Sequence, residues 1–314
     1  MKTIDAVCGV LIKPNGGMLY CQRKKPPYQG YWEFPGGKIE RFELPEMAIR
    51  REILEEIGVL ARVVLPWRGL THCDRDSTVF LRVFRVLSWE SSPYAAEAQP
   101  MAWLDPFETP EPLLPANRLF LKQLWLPPYC AFTAVEDYGL NGFLERLRYV
   151  LQKGLKLIVL REKNLGINDV KKAYTHIAEV VAHSKAKLLL SSFHLDLLCP
   201  KTKLPDGLAG IHYTASDLKG LQKRPPWLAG ASCHNVAELQ HAYSLGLDFA
   251  VLSAVEKTSS HPDTVPLGWK DFSNLTQGFP SFPVYALGGL DWQDLHWAVM
   301  HGAQGVAFRR AAWV

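Results

Sequence analysis

The sequence predicts an α/β protein of two domains, a mixed sheet flanked by helices followed by a (β/α)8 barrel. Three observations predict it. The 314 residues suit about two domains, and a hydrophobic fraction of 48% supplies core for both. Leu126-Pro127-Pro128 is a stiff break. Beyond it, short apolar runs alternate with helical stretches eight times before residue 314. The domains are therefore expected at 1–127 and 128–314.

In the first domain, residues 4–12 are apolar and β-rich, Asn15-Gly16-Gly17 signals a turn, and residues 18–23 resume an extended run, so a hairpin is expected. Residues 31–34 lead into Pro35-Gly36-Gly37, where small residues let a backbone approach phosphate or metal closely. Pro45 suits the first turn of a helix that meets no breaker from residue 47 to 57 and stops at Gly58. A strand pair is expected over 63–71 and 78–87, and a terminal helix over 116–125.

The helix before Gly58 carries the most informative pattern in the chain. At about 100° per residue, Glu52, Glu55 and Glu56 crowd into one arc, with Met47, Ile53, Leu54 and Ile57 on the other sides. Carboxylates four apart repel by about 0.2–0.5 kcal/mol, and only Arg51 is placed to relieve Glu55. A cation belongs there. Oxygen-only ligands favour a hard ion, so Mg2+ is expected, with Mn2+ as the second choice.

The formal charge of +4 is too mild to imply a nucleic-acid polymer or a membrane surface as partner. The six cysteines are scattered without a Cys-x-x-Cys pair, which reads as reduced, buried, inert thiols in a cytoplasmic protein. The run at 4–12 contains Asp5 and is too short for a signal or spanning segment.

Gly37-x5-Glu43-x7-Arg51-Glu52-Ile53-Leu54-Glu55-Glu56-Ile57-Gly58 resembles the complete signature of the Nudix hydrolases. Around it, Glu33-Phe34-Pro35-Gly36-Gly37, Glu97-Ala98-Gln99-Pro100 with Trp103, and Pro115-Ala116-Asn117 are similar to segments of the MutT-type, 8-oxo-dGTP diphosphatase branch. The resemblance implies an α/β/α sandwich and a Mg2+-dependent hydrolase that converts 8-oxo-dGTP to 8-oxo-dGMP and pyrophosphate in nucleotide-pool sanitation. It assigns metal binding to Glu52 and Glu56, with Glu55, Glu97 and the carbonyl of Gly36 as further ligands, and catalysis to Glu52, Glu55 and Glu97. Arg51 would orient Glu43 and Glu55. The nucleotide base would meet Arg23, Phe34 and Asn117. Asn117 could instead cap a helix, and Arg23 could be a strand-end surface charge.

In the second domain the strands are expected at 130–133, 157–160, 187–190, 209–212, 228–231, 249–252, 284–287 and 305–308, with helices such as 141–152, 169–184, 236–245 and 292–301. On a barrel the chemistry sits where strands end. The polar residues there are Arg161, Lys163, His194, Asp217, Ser232, His234, Lys257 and Thr258, together with the Gly288-Gly289 turn, a set suited to a phosphorylated ligand.

Leu160-Arg161-Glu162-Lys163, Gly210-Ile211-His212 with Asp217, Gly230-Ala231-Ser232-Cys233-His234 and Ala286-Leu287-Gly288-Gly289 resemble thiamine phosphate synthases and the related TenI-type thiazole tautomerases. His234 matches a proposed proton-transfer histidine of the tautomerases. Three departures from the synthase pattern stand out. Val159 replaces a Gln, Ser191-Ser192 replaces an Asn-Asp pair that includes a Mg2+ ligand, and Lys257-Thr258-Ser259-Ser260-His261 holds no clear counterpart of a loop lysine. Losing a carboxylate and a cation together argues against synthase chemistry. Besides the nucleotide reading, two others follow. Either the first domain hydrolyses thiamine diphosphate or its damaged forms while the barrel binds or tautomerises a thiazole phosphate, or the barrel is a non-catalytic binding module.

Overall fold

The computed structural model describes residues 2–13, 17–74, 77–104, 108–198, 203–258, 265–279 and 281–314. The chain divides into two compact units, Met1–Trp125 and Leu126–Val314. Leu126 packs among the barrel's interior side chains, and the carbonyls of Leu126 and Pro127 accept hydrogen bonds from Gln304 and Tyr285. The junction lies at Trp125/Leu126, beside the Leu126-Pro127-Pro128 break.

The N-terminal unit holds β1 (Lys2–Leu11), β2 (Met18–Gln22), β3 (Trp32–Glu33), α1 (Pro45–Ile57), β4 (Leu60–Cys73), β5 (Ser77–Glu90), β6 (Met101–Leu104) and α2 (Pro115–Trp125). Two three-stranded sheets form, ordered β1-β5-β4 and β3-β2-β6. The expected hairpin of β1 with β2 is corrected. β1 pairs in parallel with β5, β2 pairs antiparallel with β3 and β6, and a single bridge, Ile12 to Met18, joins the two runs. Long-range pairing has taken both strands, and the turn residues Asn15 and Gly16 lie outside the described residues. The β4–β5 pair is present and antiparallel.

Helix α1 begins with Pro45 and ends at Gly58, whose φ of 67° is the left-handed stop. Its buried stripe is Ala48, Ile49, Ile53 and Ile57, packed with Val7, Leu11, Val64, Phe84 and Val86 of the sheet. Met47 and Leu54 stay exposed, so the helix turns its carboxylates, and not a polar back, toward the loop before it.

The C-terminal unit is a closed parallel barrel, as its alternating runs predict. Its strands are β7 (Tyr129–Phe132), β8 (Leu157–Leu160), β9 (Lys187–Ser191), β10 (Gly210–Tyr213), β11 (Leu228–Cys233), β12 (Phe249–Ser253), β13 (Val284–Leu287) and β14 (Gly305–Phe308), with β14 closing onto β7. The helices are α3 (Val135–Gln152), α4 (Ile167–Ala182), α5 (Leu195–Leu198), α6 (Ala215–Gly220), α7 (Val236–Ser244), α8 (Gly268–Gln277) and α9 (Leu295–Met300). Alternate strand residues fill the interior, among them Phe132, Val159, Leu189, Phe249, Val251, Tyr285 and Ala307. The intervening residues face the helices in a larger apolar shell.

Of the cysteines, Cys8, Cys21, Cys130 and Cys233 are buried and free, as expected, whereas Cys73 is exposed at the end of β4, and Cys199 lies outside the described residues. Among the described residues no helix is long and apolar enough to cross a membrane.

Candidate functional site

In the N-terminal unit the glycine loop is laid along β1. The Val7 and Gly9 amides donate to the Gly37 and Pro35 carbonyls at 2.9 and 2.8 Å, and the Ile39 amide donates to the Asp5 carbonyl at 3.0 Å. This brings the loop against the acidic face of α1. A Cβ on Gly36 would lie 2.6 Å from Cys8 Cα, so only glycine permits that approach, and one on Gly37 would lie 2.5 Å from Glu52 Cδ and displace that carboxylate. The Gly36 amide donates to Glu56 Oε2 at 3.0 Å.

Arg51 organises the remaining acids. Its guanidinium donates to Glu43 at 2.8 and 2.9 Å, to Glu52 at 2.9 Å and to Glu55 at 3.1 Å, so it holds Glu52 in addition to the two partners expected. Glu43 and Glu52 are mostly covered, while the Glu55 side chain is 56% exposed and open to solvent. The loop bearing Glu97 docks on the end of α1. The Ala96 amide and Gln99 Nε2 both donate to the Glu56 carbonyl, and Lys24 Nζ donates to the Glu97 carbonyl at 2.9 Å. Sequence distant by forty residues is thus folded onto the same patch, as the separation of Glu56 and Gln99 shows.

The electrostatics of this patch fit a cation. Burial first, and then the charges of Glu33, Glu52 and Glu97, push the Glu56 carboxyl up to about 8 against the pull of the Gly36 amide. Burial also raises Glu52. The Arg51 guanidinium, and then the Glu40 amide, hold the Glu43 carboxyl down at about 2. Among the described residues no three acids converge as a finished metal cluster; Arg51 holds Glu52 and Glu55, and the Gly36 amide holds Glu56. The donor set is hard oxygen with excess negative charge. A divalent cation is the group that would relieve it, with Glu52 and Glu56 as its nearest holders.

The expected base-contact residues are adjacent. Asn117 is 2% exposed, within α2 and not at its cap, and its Oδ1 accepts the Phe34 amide at 3.0 Å. That bond fixes the orientation of the side-chain amide. The Phe34 ring is buried against Tyr20 and Phe120, with centroids at 4.6 and 5.7 Å, so it lies in the core beneath Asn117 rather than on an exposed face. Arg23 is no loose surface charge. It pairs with Glu33 at 2.9 Å and donates to the Pro27 carbonyl. Glu33, a buried acid raised chiefly by desolvation, escaped sequence reasoning because it reads as an ordinary strand-end residue.

At the barrel's C-terminal face, Thr133, Glu162 and His194 form a buried frame. The Glu162 carboxylate accepts the Val135 and Glu136 amides at 2.9 and 3.1 Å, and the Glu162 and Arg161 amides donate to His194 Nε2 and Thr133 Oγ1. Arg161 and Lys163 project from this frame. Asp217 accepts hydrogen bonds from Ser192 Oγ at 2.5 Å and Thr214 Oγ1 at 2.7 Å. Ser232 pairs with His212 Nε2 at 3.0 Å. His212 is buried between Phe132 and Phe249, its Nδ1 has no partner, and burial holds its pKa down to about 3.

His234 Nδ1 lies 3.0 Å from the Ser253 carbonyl, an arrangement that fixes the ring and leaves Nε2 open. Gly288 and Gly289 meet the neighbouring loop: a Cβ there would lie 2.8 Å from Ala254 Cβ and 2.7 Å from the Lys257 carbonyl respectively. Chain packing is sufficient reason for that glycine pair. Val159 is wholly buried among the interior apolar side chains. Lys257 is exposed, and Ser259, Ser260 and His261 lie outside the described residues.

Fold and acidic site point to a phosphoanhydride hydrolase joined to a (β/α)8 barrel, and comparison with known proteins assigns a family to each unit. The family model described as thiamine monophosphate synthase matches residues 130–312, and that described as NUDIX domain matches residues 2–124. The putative thiamine-phosphate synthase 2 of Aquifex aeolicus is 33% identical over 186 residues, 58% of this chain and 95% of its own length. The 8-oxo-dGTP diphosphatase of Escherichia coli is 31% identical over 105 residues, 33% of this chain and 81% of its own. The CTP pyrophosphohydrolase of Escherichia coli is 33% identical over 124 residues, 37% of this chain and 87% of its own. The chain belongs to the thiamine monophosphate synthase family through its C-terminal unit and to the Nudix family through its N-terminal unit. The N-terminal unit is a nucleotide pyrophosphohydrolase.

Proposed function

We propose that the N-terminal unit is a Mg2+-dependent 8-oxo-dGTP diphosphatase that releases 8-oxo-dGMP and pyrophosphate. The observation that carries this reading is the pairing of two covered carboxylates, Glu52 and Glu56, with a glycine loop that no side chain could enter. A divalent cation bound there supplies charge neutralisation to the phosphate oxygens and acidifies water. Glu52 and Glu56 hold it, with Gly36 at the rim. Glu55, the exposed member, or Glu97 on the docked loop takes the proton of the attacking water as oxygen bonds to phosphorus and the anhydride oxygen departs with pyrophosphate.

Asn117 supports the base preference. Its NH2 donates to a purine oxo group, while the second lone pair of Oδ1 accepts the N7–H that only the oxidised ring carries. Unmodified guanine presents a bare N7 acceptor to the same oxygen. The test is turnover of 8-oxo-dGTP, dGTP, CTP and thiamine diphosphate by the intact chain with Mg2+. Preference for 8-oxo-dGTP is expected. Equal or absent activity on it relative to dGTP sinks the specificity, and faster turnover of thiamine diphosphate transfers the reading to that compound class.

For the barrel, family membership supports binding of a thiazole- or thiamine-related phosphorylated ligand. Synthase chemistry is not proposed, because Val159 is an apolar plug and Ser192 stands where a metal-binding carboxylate would be needed.

A further inference from the structure

The four residues from Glu33 to Gly36 tie the expected base contacts to the acidic site. They run from the end of β3 into the glycine loop, and neighbours fasten them closely: the Trp32 amide donates to the Pro112 carbonyl, the Leu114 amide to the Trp32 carbonyl and the Gly9 amide to the Pro35 carbonyl, each at 2.8 Å. From this segment the Phe34 amide donates to Asn117 Oδ1 and the Gly36 amide to Glu56 Oε2, both at 3.0 Å. The Glu33 carboxylate is the third attachment. Its two oxygens accept Arg23 Nη1 at 3.2 and 2.9 Å, beside the Cys21–Glu33 pairing of β2 with β3.

Arg23 is thereby held at two points. Its Nε donates to the Pro27 carbonyl at 2.8 Å and its Nη1 to Glu33, which fixes the plane of the guanidinium, while Nη2 donates to none of the described residues. A planar fork with one edge occupied presents the other in a set direction. The side chain stays 31% exposed, so a ligand can reach it.

Packing gives no reason for an acid at this position. The Glu33 side chain is 15% exposed, and burial holds its carboxyl above the usual carboxylate range against the pull of Arg23. A half-covered ion pair of this kind adds little to stability compared with a neutral pair of the same shape.

We propose that Glu33 is a positioning residue for nucleotide binding, which sets the Arg23 guanidinium so that Nη2 donates to the base held by Asn117. Glu33 itself touches no substrate atom and acts through Arg23. The inference deepens the nucleotide reading of the N-terminal unit and rests on it. Neighbouring residues 33 and 34 then orient both base contacts, and the loop that follows them frames the cation site.

The test is steady-state turnover of 8-oxo-dGTP by the full chain at saturating Mg2+, where the loss of a charge near Glu56 does not limit the rate. Glu33→Gln keeps the shape of the side chain and removes its charge. It should raise KM by about tenfold, the scale of one hydrogen bond to a charged group, leave kcat within about twofold and leave the melting temperature unchanged. In a chain already carrying Arg23→Ala, the same Glu33→Gln change should move KM by less than about twofold, because the group it positions is gone. An unmoved KM in Glu33→Gln, a fall in kcat with KM unchanged, or an equal rise in KM with and without Arg23 overturns the positioning role while leaving the nucleotide reading intact. A parent chain that does not turn over 8-oxo-dGTP overturns that reading, and this inference with it.

Discussion

The two units solve opposite electrostatic problems with the same device. In the N-terminal unit one arginine, Arg51, gathers three acids, Glu43, Glu52 and Glu55, and leaves a surplus of negative charge. In the barrel one acid, Glu136, gathers Arg309 and Asn164 and ties the segments beyond β14 and β8 to α3. The difference teaches what each device does: the first concentrates like charges that a hard cation would relieve, and the second neutralises charge and fastens the barrel face.

The comparison can be broken most directly at Glu56. Glu56→Gln should lower hydrolysis by about a thousandfold, roughly 4 kcal/mol of barrier, while the melting temperature stays the same or rises, because the buried carboxyl it replaces is already raised toward neutrality. Full turnover by this variant at saturating Mg2+ would refute the cation site.

A second test sharpens the contrast from the barrel side. His212 titrates at the ordinary 6.5 when unfolded and near 3 when folded, since burial, followed by the charge of Arg161, opposes its protonation. The unfolded state therefore binds the additional proton below 6.5, and barrel stability falls as pH drops toward 3 by about 1.4 kcal/mol per unit. Hydrogen exchange of the barrel strand amides across that range reads it, and His212→Leu should flatten the slope. An unchanged slope would show that other groups carry the acid sensitivity.

Smaller effects follow at the base pocket and the surface. Asn117→Ala should cut the ratio of 8-oxo-dGTP to dGTP turnover by about 10- to 100-fold, the scale of a lost specific hydrogen bond, and a ratio that does not move removes Asn117 from recognition. At the low end, Arg62→Ala breaks an exposed pair with Glu90, both side chains more than half open to water, and should shift unfolding by under about 1 kcal/mol. A larger loss would mean that the β4–β5 edge depends on that pair.

Much of this was legible in the residues. Short apolar runs between helical stretches located the strands of the barrel within a residue or two at most ends, because alternating βα units bury each strand on both faces and so write continuous apolar runs. The spacing of Glu52, Glu55 and Glu56 placed them on one helix face, and Gly58 stopped that helix, both being local consequences of geometry. The hairpin of β1 and β2 failed for the complementary reason. A turn signal says that the chain reverses, whereas which strand becomes the neighbour depends on partners far away, here β5 for β1 and β6 for β2.

By itself, then, the order of residues determined the periodic elements, the acidic helix behind a glycine loop and the division at Leu126-Pro127-Pro128, since each depends on neighbours within a few positions. Tertiary structure alone decided that the Gly36 amide meets Glu56, that Asn117 is oriented by the Phe34 amide, that Ser192 donates to Asp217 and that Arg309 pairs with Glu136. Those are contacts between segments whose separation along the chain carries no trace in local pattern. Charge and hydrogen bonding act through space, and only the folded path sets the distances on which they depend.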